Sequence, residues 1–417
     1  GVDVYRAYVR PGEPVDVESA QRLEQAGRRA RERRPDLADE IGVLLDLAGG
    51  DDASGRAAAD FVVRFQQTCG PVMAKGIEDT AFYRWHRLVP LNEVGGDPGV
   101  VAHASPKAMH EWAARQQRDW PRGMTALSTH DTKRSEDVRA RLLAVAQHPR
   151  LWEESSAPFL EAADEHGVDR PTAALLWQTL LGAWPIGRER LHDYLGKAMR
   201  EAKQHTAWVD GDEEYERRVL ALADRALEPG PTRTAVESAV AAVPGDIRAT
   251  VLSAKLLQLC VPGVPDVYQG AELVTDSLVD PDNRRPVDFA RRARMLSRLD
   301  DGAAPGRLDL DEEKLLLTSR ALRLRRARPD VFGSGGGYQP VQGSTEHVTG
   351  FVRGGEVACL VTRAPARLAA GGGWGAATVS LPDGPWTDVL TGARHPGGVV
   401  ACAELFAVLP VALLERR

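Results

Sequence analysis

The sequence predicts an α/β protein: elements of a (β/α) barrel, interrupted by a helical insertion and followed by an antiparallel β domain. Three observations predict it. The short apolar runs "MTALS" (124–128) and "VPDVYQG" (264–270) each leave into a polar loop, as barrel strands do where their ends face a site. Between them ~110 residues read as helix throughout, far more than a single connecting helix needs. Beyond "RPDVFGSGGG" (328–337) the pattern turns to hairpins, with "HVTGFVR-GG-EVACLVTR" pairing across a Gly-Gly turn and "VVACAELFAVLPVALLE" supplying closing strands.

Along the chain, residues 2–9 ("VDVYRAYV") alternate as a strand and "RPGEPVD" breaks it. The opening run reads as the middle of a longer architecture. Val17 to about Arg34 is helical and heavily charged. Its "RRARERR" run has the composition of a phosphate binder, but acidic residues on both sides make it a solvated helix face. A second helix covers roughly Gly55 to Gln67. The stretch 72–99 has little periodicity and is rich in aromatic, charged and Gly residues, the composition of a contact-making loop region. A helix over Pro106–Asp119 leads into "MTALS". In the helical stretch, "TAALLWQTLLGAW" is apolar on most sides and "RERLHDYLGKAMREAK" is amphipathic. Residues 246–260 read as an amphipathic helix, then a Pro/Gly turn and "VPDV". A last helix runs from Asp311 to about Arg328.

The composition excludes several classes. The 417 residues carry a formal charge of −6, which argues against a general nucleic-acid binder. No apolar run approaches the ~18 residues of a membrane span, and nothing reads as a signal peptide. Cys69, Cys260, Cys359 and Cys402 are far apart, without CxxC or metal-ligand spacing, and the ten histidines form no HExxH. Reduced thiols, a cytoplasmic location and no metal or organic cofactor are the expectation.

Three constellations carry chemistry. His130-Asp131 stands where an apolar strand exits and a charged helix starts, the end of a barrel strand that faces the site. The plain alternative is an N-cap Asp beside a satisfied histidine. His192-Asp193, inside a charged helix, carries no such meaning. In "PGVPDVYQGAEL…LVDPDNRRPVD" (262–288), Tyr268, Gln269 and Glu272 crowd a strand exit, and Asp280, Asp282, Asn283, Arg284 and Arg285 form a polar loop. Carboxylates and guanidinium groups suit neighbouring hydroxyls; an internally salt-bridged loop is the alternative. In "AKGIEDTAFYRW" (74–85), Lys75, Glu78 and Asp79 adjoin Phe82, Tyr83 and Trp85, which fits sugar rings with apolar faces and polar edges.

Together, "GPVMAKGIEDTAFYRWHRLVPLNEVGGDP", "LSTHDTKRSEDVRARL" and "PGVPDVYQGAELVTDSLVDPDNRRPVD" resemble stretches of the α-amylase superfamily and, within it, the maltooligosyl trehalose synthases. The resemblance is ordered and runs from Val4 to at least Arg328. It implies rearrangement of the reducing-end α-1,4 linkage of malto-oligosaccharides to α,α-1,1. Such retaining chemistry uses a nucleophile and an acid/base carboxylate, with a third carboxylate holding the distorted sugar as charge develops. Asp131 matches that third carboxylate, and His130 its neighbour on the same sugar. Lys75, Tyr83, Asp280 and Arg284 would surround the glucose that leaves and attacks again.

The nucleophile and acid/base motifs of the superfamily do not occur here, and neither Glu78 nor Glu272 has the surroundings to replace them. By resemblance, "VDVYRAYV", "MTALS" and "VPDVYQG" are the sixth, seventh and eighth strands of a partial TIM (β/α)8 barrel. Residues 1–134 then hold strands six and seven, 135–245 the helical insertion, 246–330 strand eight and closing helices, and 331–417 a C-terminal β-sandwich domain. The expected partners are a malto-oligosaccharide and the missing N-terminal half, with no nucleic acid and no membrane. The chain alone is expected to be inactive. Two other readings stay open: a different α-glucan hydrolase or glucanotransferase, and a non-catalytic carbohydrate-binding remnant.

Overall fold

The structure, a computed structural model, describes residues 4–50, 55–99 and 104–417, and these fall into two compact units. The first runs as far as His86 and includes Lys197–Glu213; the second holds Arg87–Gly196 and Glu214–Arg417.

In the first unit, α1 (Val17–Arg33) starts where the Asp16 side chain accepts the Ser19 N–H at 2.9 Å. Its charged face closes on itself through Glu18–Arg22 and Glu24–Arg28 pairs. With α2 (Ala38–Gly49) and α3 (Arg56–Met73) it packs Leu23, Ala48 and Val62 against Ala7 and Val9. The strand expected over 2–9 is not formed by its described residues, and Val2 and Asp3 lie outside them. A strand needs a neighbour to take its backbone groups. Here the Ala7 N–H goes instead to Gln66 Oε1, at 3.2 Å.

The second unit begins with α4 (Pro106–Asp119), opened by Ser105 accepting the Ala108 N–H at 3.1 Å. After β1 (Met124–Ala126) come six helices: α5 (Glu136–Val145), α6 (Pro149–His166), α7 (Arg170–Ala183), α8 (Arg188–Ala202), α9 (Glu213–Leu227) and α10 (Pro231–Ala242), of which α8 from Lys197 on and Glu213 of α9 count with the first unit. Helix α7 is buried on nearly every side, as its apolar composition requires. Next come α11 (Pro244–Cys260) and β2 (Val264–Asp266). Strands β1 and β2 are parallel neighbours, with Thr125 opposite Pro265. The turn into β2 admits only glycine at residue 263. Its φ is +127°, and a Cβ there would lie 2.5 Å from the Gly123 carbonyl oxygen.

Helices α12 (Phe289–Asp300) and α13 (Leu310–Ala327) follow, the latter opened by a reciprocal Asp309/Glu312 capping box. After α14 (Pro329–Phe332) the chain becomes β-rich, with short helices α15 (Pro365–Ala370) and α16 (Cys402–Leu405) between strands. Its strands are β3 (Gln339–Pro340), β4 (Val348–Arg353), β5 (Val357–Thr362), β6 (Thr378–Leu381), β7 (Trp386–Asp388), β8 (Arg394–His395), β9 (Gly398–Ala401) and β10 (Val411–Arg416). One antiparallel sheet has the order β3-β4-β5-β10-β7-β8, and β6 pairs with β9. The β4–β5 hairpin turns on Gly354 and Gly355, both at positive φ, as the Gly-Gly signal predicts.

Helix α11 departs from the amphipathic reading: it is buried nearly all round. One face packs with α13 residues Leu317 and Ala321, and with Phe351, Cys359 and Leu413 of the sheet. The other face carries Lys255, 1% exposed, into a four-charge cluster. Lys255 Nζ lies 2.6 Å from Glu136 Oε1, and Lys314 Nζ reaches Glu136 at 2.8 Å and Asp137 at 2.6 Å. Burial raises the Glu136 carboxyl, but Lys314 and Lys255 outweigh it and hold the group down at about 2. Among the described residues no helix is long and apolar enough to cross a membrane.

The cluster makes two predictions. Lys314→Met leaves Glu136 and Asp137 short of a cation in the interior and should cost about 3–5 kcal/mol, read from urea unfolding midpoints. Glu136 titrates well below its ordinary 4.5, so its stabilisation is complete above that pH and fades as pH falls toward about 2. Glu136→Gln should flatten that acid limb. An unchanged slope would mean the carboxylate is not held down by the lysines.

Candidate functional site

The site is built where β1 ends. Four residues beyond the strand, His130 and Asp131 occupy an exposed turn whose shape is set by hydroxyls. Thr129 Oγ1 accepts the Asp131 N–H at 3.2 Å; Thr132 Oγ1 accepts the Thr129 N–H at 3.2 Å and donates to the Thr129 carbonyl at 2.9 Å. Just past the turn, Glu93 accepts the Lys133 N–H at 2.8 Å and the Arg134 N–H at 3.3 Å. Glu93 is 7% exposed, so this carboxylate meets two successive backbone donors away from water, a strong arrangement. Ser128 Oγ and Glu136 then exchange hydrogen bonds, Ser128 accepting the Glu136 N–H at 2.9 Å. Asp131 is therefore not a helix N-cap; α5 starts after Ser135. Among the described residues the side chains of His130 and Asp131 have no hydrogen-bond or ion-pair partner.

The loop after β2 comes to the same place. Ser135 donates its N–H to the Ser277 carbonyl at 2.8 Å and its hydroxyl to the Thr275 carbonyl at 2.7 Å. Asn283 Nδ2 donates to the His130 carbonyl at 2.9 Å. Asp280 and Arg284 pair with each other at 2.6 Å, half-buried and exposed respectively. The other charges of the loop are engaged internally. Arg190 of α8 donates to Asp282 at 2.7 and 2.9 Å and to Asp276 at 2.8 Å. Arg285 reaches Asp276 at 2.7 Å. Burial alone would raise the Asp276 carboxyl; Arg190 and Arg285 outweigh it and lower it. The salt-bridged alternative thus holds for Asp282 and Arg285, held with Asp276 and Arg190, and for Asp280 and Arg284, which pair with each other nearer the surface.

Beneath the turn lies a cleft lined by Ser128, Thr132, Ser135, Tyr268, Thr275 and Asn283, among others, with ≈ 20 Å³ of interior space. That admits about one water molecule. Glu272 pairs with Arg292 at 3.0 Å.

Lys75 and Tyr83 belong to the first unit. Lys75 is exposed on the π-helical turn Ala74–Glu78 that continues α3, paired with Asp79. Phe82 and Tyr83 are buried and Trp85 is half-buried; Glu78, also buried, accepts the Tyr5 hydroxyl at 2.8 Å. An apolar cavity of ≈ 570 Å³ in this unit, walled by Leu23, Phe65, Val72, Met73 and Ile77 among others, lacks the converging polar groups a sugar needs. Among the described residues no His/Cys/Asp/Glu group could hold a metal ion.

Sequence reasoning missed Glu93 and Arg190. Glu93 sits in "LNEVGGDP", where nothing local marks it as an acceptor for amides 40 residues on. Glu93→Gln keeps the shape but replaces one acceptor oxygen with a donor facing an N–H. It should cost about 1–3 kcal/mol and lower the melting temperature; Glu93→Asp should recover part of it.

No family model matches the chain. It is 45% identical over 398 residues to the maltooligosyl trehalose synthase assigned in Mycobacterium tuberculosis, an alignment covering 91% of this chain and 49% of the relative. The solved maltooligosyltrehalose synthase of Arthrobacter ramosus superposes with a TM-score of 0.88 at 42% identity, over 99% of this chain and 52% of that one. A Sulfolobus tokodaii structure, a hypothetical maltooligosyl trehalose synthase, gives 0.68 at 28% identity, over 89% and 50%. The chain is thus similar to maltooligosyl trehalose synthases over nearly its whole length. It spans about half the length of the curated relatives it matches.

Proposed function

We propose that this chain supplies the reducing-end sugar side of a maltooligosyl trehalose synthase, with Asp131 as the carboxylate that holds the sugar while its linkage moves from α-1,4 to α,α-1,1. The observation that carries the reading is an exposed carboxylate, without a side-chain partner among the described residues, past the exit of a parallel strand, inside a chain 45% identical to an assigned synthase. Every other acidic group of these two loops that is described above has a basic or backbone partner.

In this reading β1 and β2 are neighbouring strands of a barrel, the seventh and eighth. Residues 135–245 are an insertion between them and 331–417 a terminal β domain. The remaining strands, the nucleophile and the acid/base come from the part of the relatives that this chain does not span. Asp131 would accept hydrogen bonds from two hydroxyls of the distorted ring, and His130 would contact the same sugar. A fixed carboxylate stabilises positive charge growing at C1 because it does not have to reorganise as the charge develops. Asp280 and Arg284 would retain the released glucose so that its anomeric hydroxyl attacks before water does. The chemistry needs two carboxylates and no metal or organic cofactor. Four free cysteines fit a reducing, cytoplasmic setting.

The test is activity on maltopentaose, for the chain alone and combined with the complementing half of a synthase, following reducing ends and the α,α-1,1 anomeric proton signal. Product is expected from the combination only. Asp131→Asn should then lower the isomerisation kcat by about 10²–10³-fold or more while leaving the melting temperature unchanged. Turnover by the chain alone would place a nucleophile within these residues and sink the assignment.

A further inference from the structure

We propose that α8 clamps the two site loops together and that Arg190 is its positioning residue, so that the helical segment controls how firmly the released glucose is held. The proposal deepens the reading of Asp131, Asp280 and Arg284 as sugar-binding groups and rests on it.

The argument starts from helical spacing. Arg190 and Tyr194 are four residues apart on α8 and so share one face. Arg190 grips the loop after β2: its guanidinium spans Asp276 at 2.8 Å and Asp282 at 2.7 and 2.9 Å, with a further bond to the Asp276 carbonyl at 3.1 Å. Tyr194 grips the loop after β1: its hydroxyl accepts from Arg134 Nη2 at 2.8 Å. Arg134 is 2% exposed and bridges to Leu278 of the other loop.

From Asp282 the path to the proposed sugar groups is short. Its Oδ2 accepts the Leu278 N–H at 2.8 Å, and the next residue, Asn283, donates to the His130 carbonyl at 2.9 Å. Asp280 and Arg284 flank that pair along the chain. Moving Asp282 therefore shifts the Asp280–Arg284 pair and releases the backbone of the His130-Asp131 turn together. The local charges balance, with Asp276 and Asp282 against Arg190 and Arg285. Without Arg190, two carboxylates are left to share Arg285. A lysine restores charge but cannot reach both carboxylates, since only the planar guanidinium forks. His192, on the same helix, serves as a control: its ring meets Asp224 at 2.7 Å and neither site loop.

The experiment has two readouts. The first is amide exchange in segments 127–135 and 276–285 of this chain, including the Ser135 N–H that bridges them. Arg190→Met should raise exchange in both segments by about tenfold, the equivalent of one charge-assisted hydrogen bond. Arg190→Lys should fall between, Tyr194→Phe should loosen 127–135 first, and His192→Gln should change neither. Loosening of 276–285 alone, or an equal effect from His192→Gln, overturns the clamp. The second readout is the product of the combined halves on maltopentaose. Arg190→Met should raise KM and increase the share of free glucose over glycosyl-trehalose. An unchanged share with both loops loosened overturns the functional part. If the unmutated combination makes no glycosyl-trehalose while the exchange result holds, the sugar reading fails and the clamp stands as a structural device.

Discussion

Four buried charges hold the second unit together. Glu136 and Asp137 open α5, Lys255 lies in the middle of α11 and Lys314 in the first turns of α13. None of the four is stable alone in the interior, because an isolated ion there has lost its water without compensation. As a set of two cations and two anions they are neutral, and their remaining valences go to the backbone around them. Lys314 also donates to the Leu273 carbonyl at 3.1 Å, Asp137 accepts the Thr275 N–H at 2.8 Å, and Lys255 donates to Gln258 at 3.4 Å. Gln258 in turn donates to the carbonyls of Thr125 and Asp266, one on each parallel strand. The three helices can therefore approach only in the one arrangement that brings all four charges together. The exits of β1 and β2 are fixed as a by-product.

That arrangement explains how flexible-looking polar loops hold a defined shape. The residues on either side of the His130-Asp131 turn are tied down at Ser128, Lys133, Arg134 and Ser135, each through a backbone or hydroxyl contact. Thr275, at the start of the second loop, is bound both to Asp137 of the cluster and to Ser135 of the first loop. Stiffness is transmitted from the charged core to the loops over one residue, without a long chain of contacts. The sheet is joined to the same core from the other side. Arg353, fully buried in β4, donates to Gln117 of α4 at 2.7 Å and to the Cys260 carbonyl at the end of α11 at 3.2 Å. Burial, with the Arg325 charge nearby, brings its pKa down to about 10.

Patterns local in the chain were legible. Helices α1, α4 and α13, the Gly-Gly hairpin and the two short strands β1 and β2 follow from caps, periodicity and turn residues within a few positions of each other. The placement of His130-Asp131 on an exposed turn past β1 was legible too, because an apolar strand delivering a polar dipeptide is a local signal. What was not legible depends on distance. The strand over 2–9 has the right alternation, yet pairing needs a neighbour that alternation cannot supply. Helix α11 reads as amphipathic because Lys255 and Gln258 are polar, but both point into the protein, where their partners come from α5 and the strands. Glu93 and Arg190 act 40 and 92 residues from their partners. In "DPDNRRP" composition showed charge but could not show which charges are consumed internally.

This division is what gives the loops their chemical direction. A carboxylate bound by an arginine fork, like Asp276 or Asp282, has its lone pairs occupied and its field cancelled, and so offers a ligand little. Asp131 has backbone held in place by Thr129 and no cation on its side chain. Among the described residues, its acceptor capacity is not used by another side chain. A hydroxyl-rich ligand can offer it several oriented donors at once, at little cost in ordering the turn. The buried charges around it thus do more than stabilise the fold. By pairing with one another and with neighbouring polar groups, they leave Asp131 without a counter-charge among the described residues.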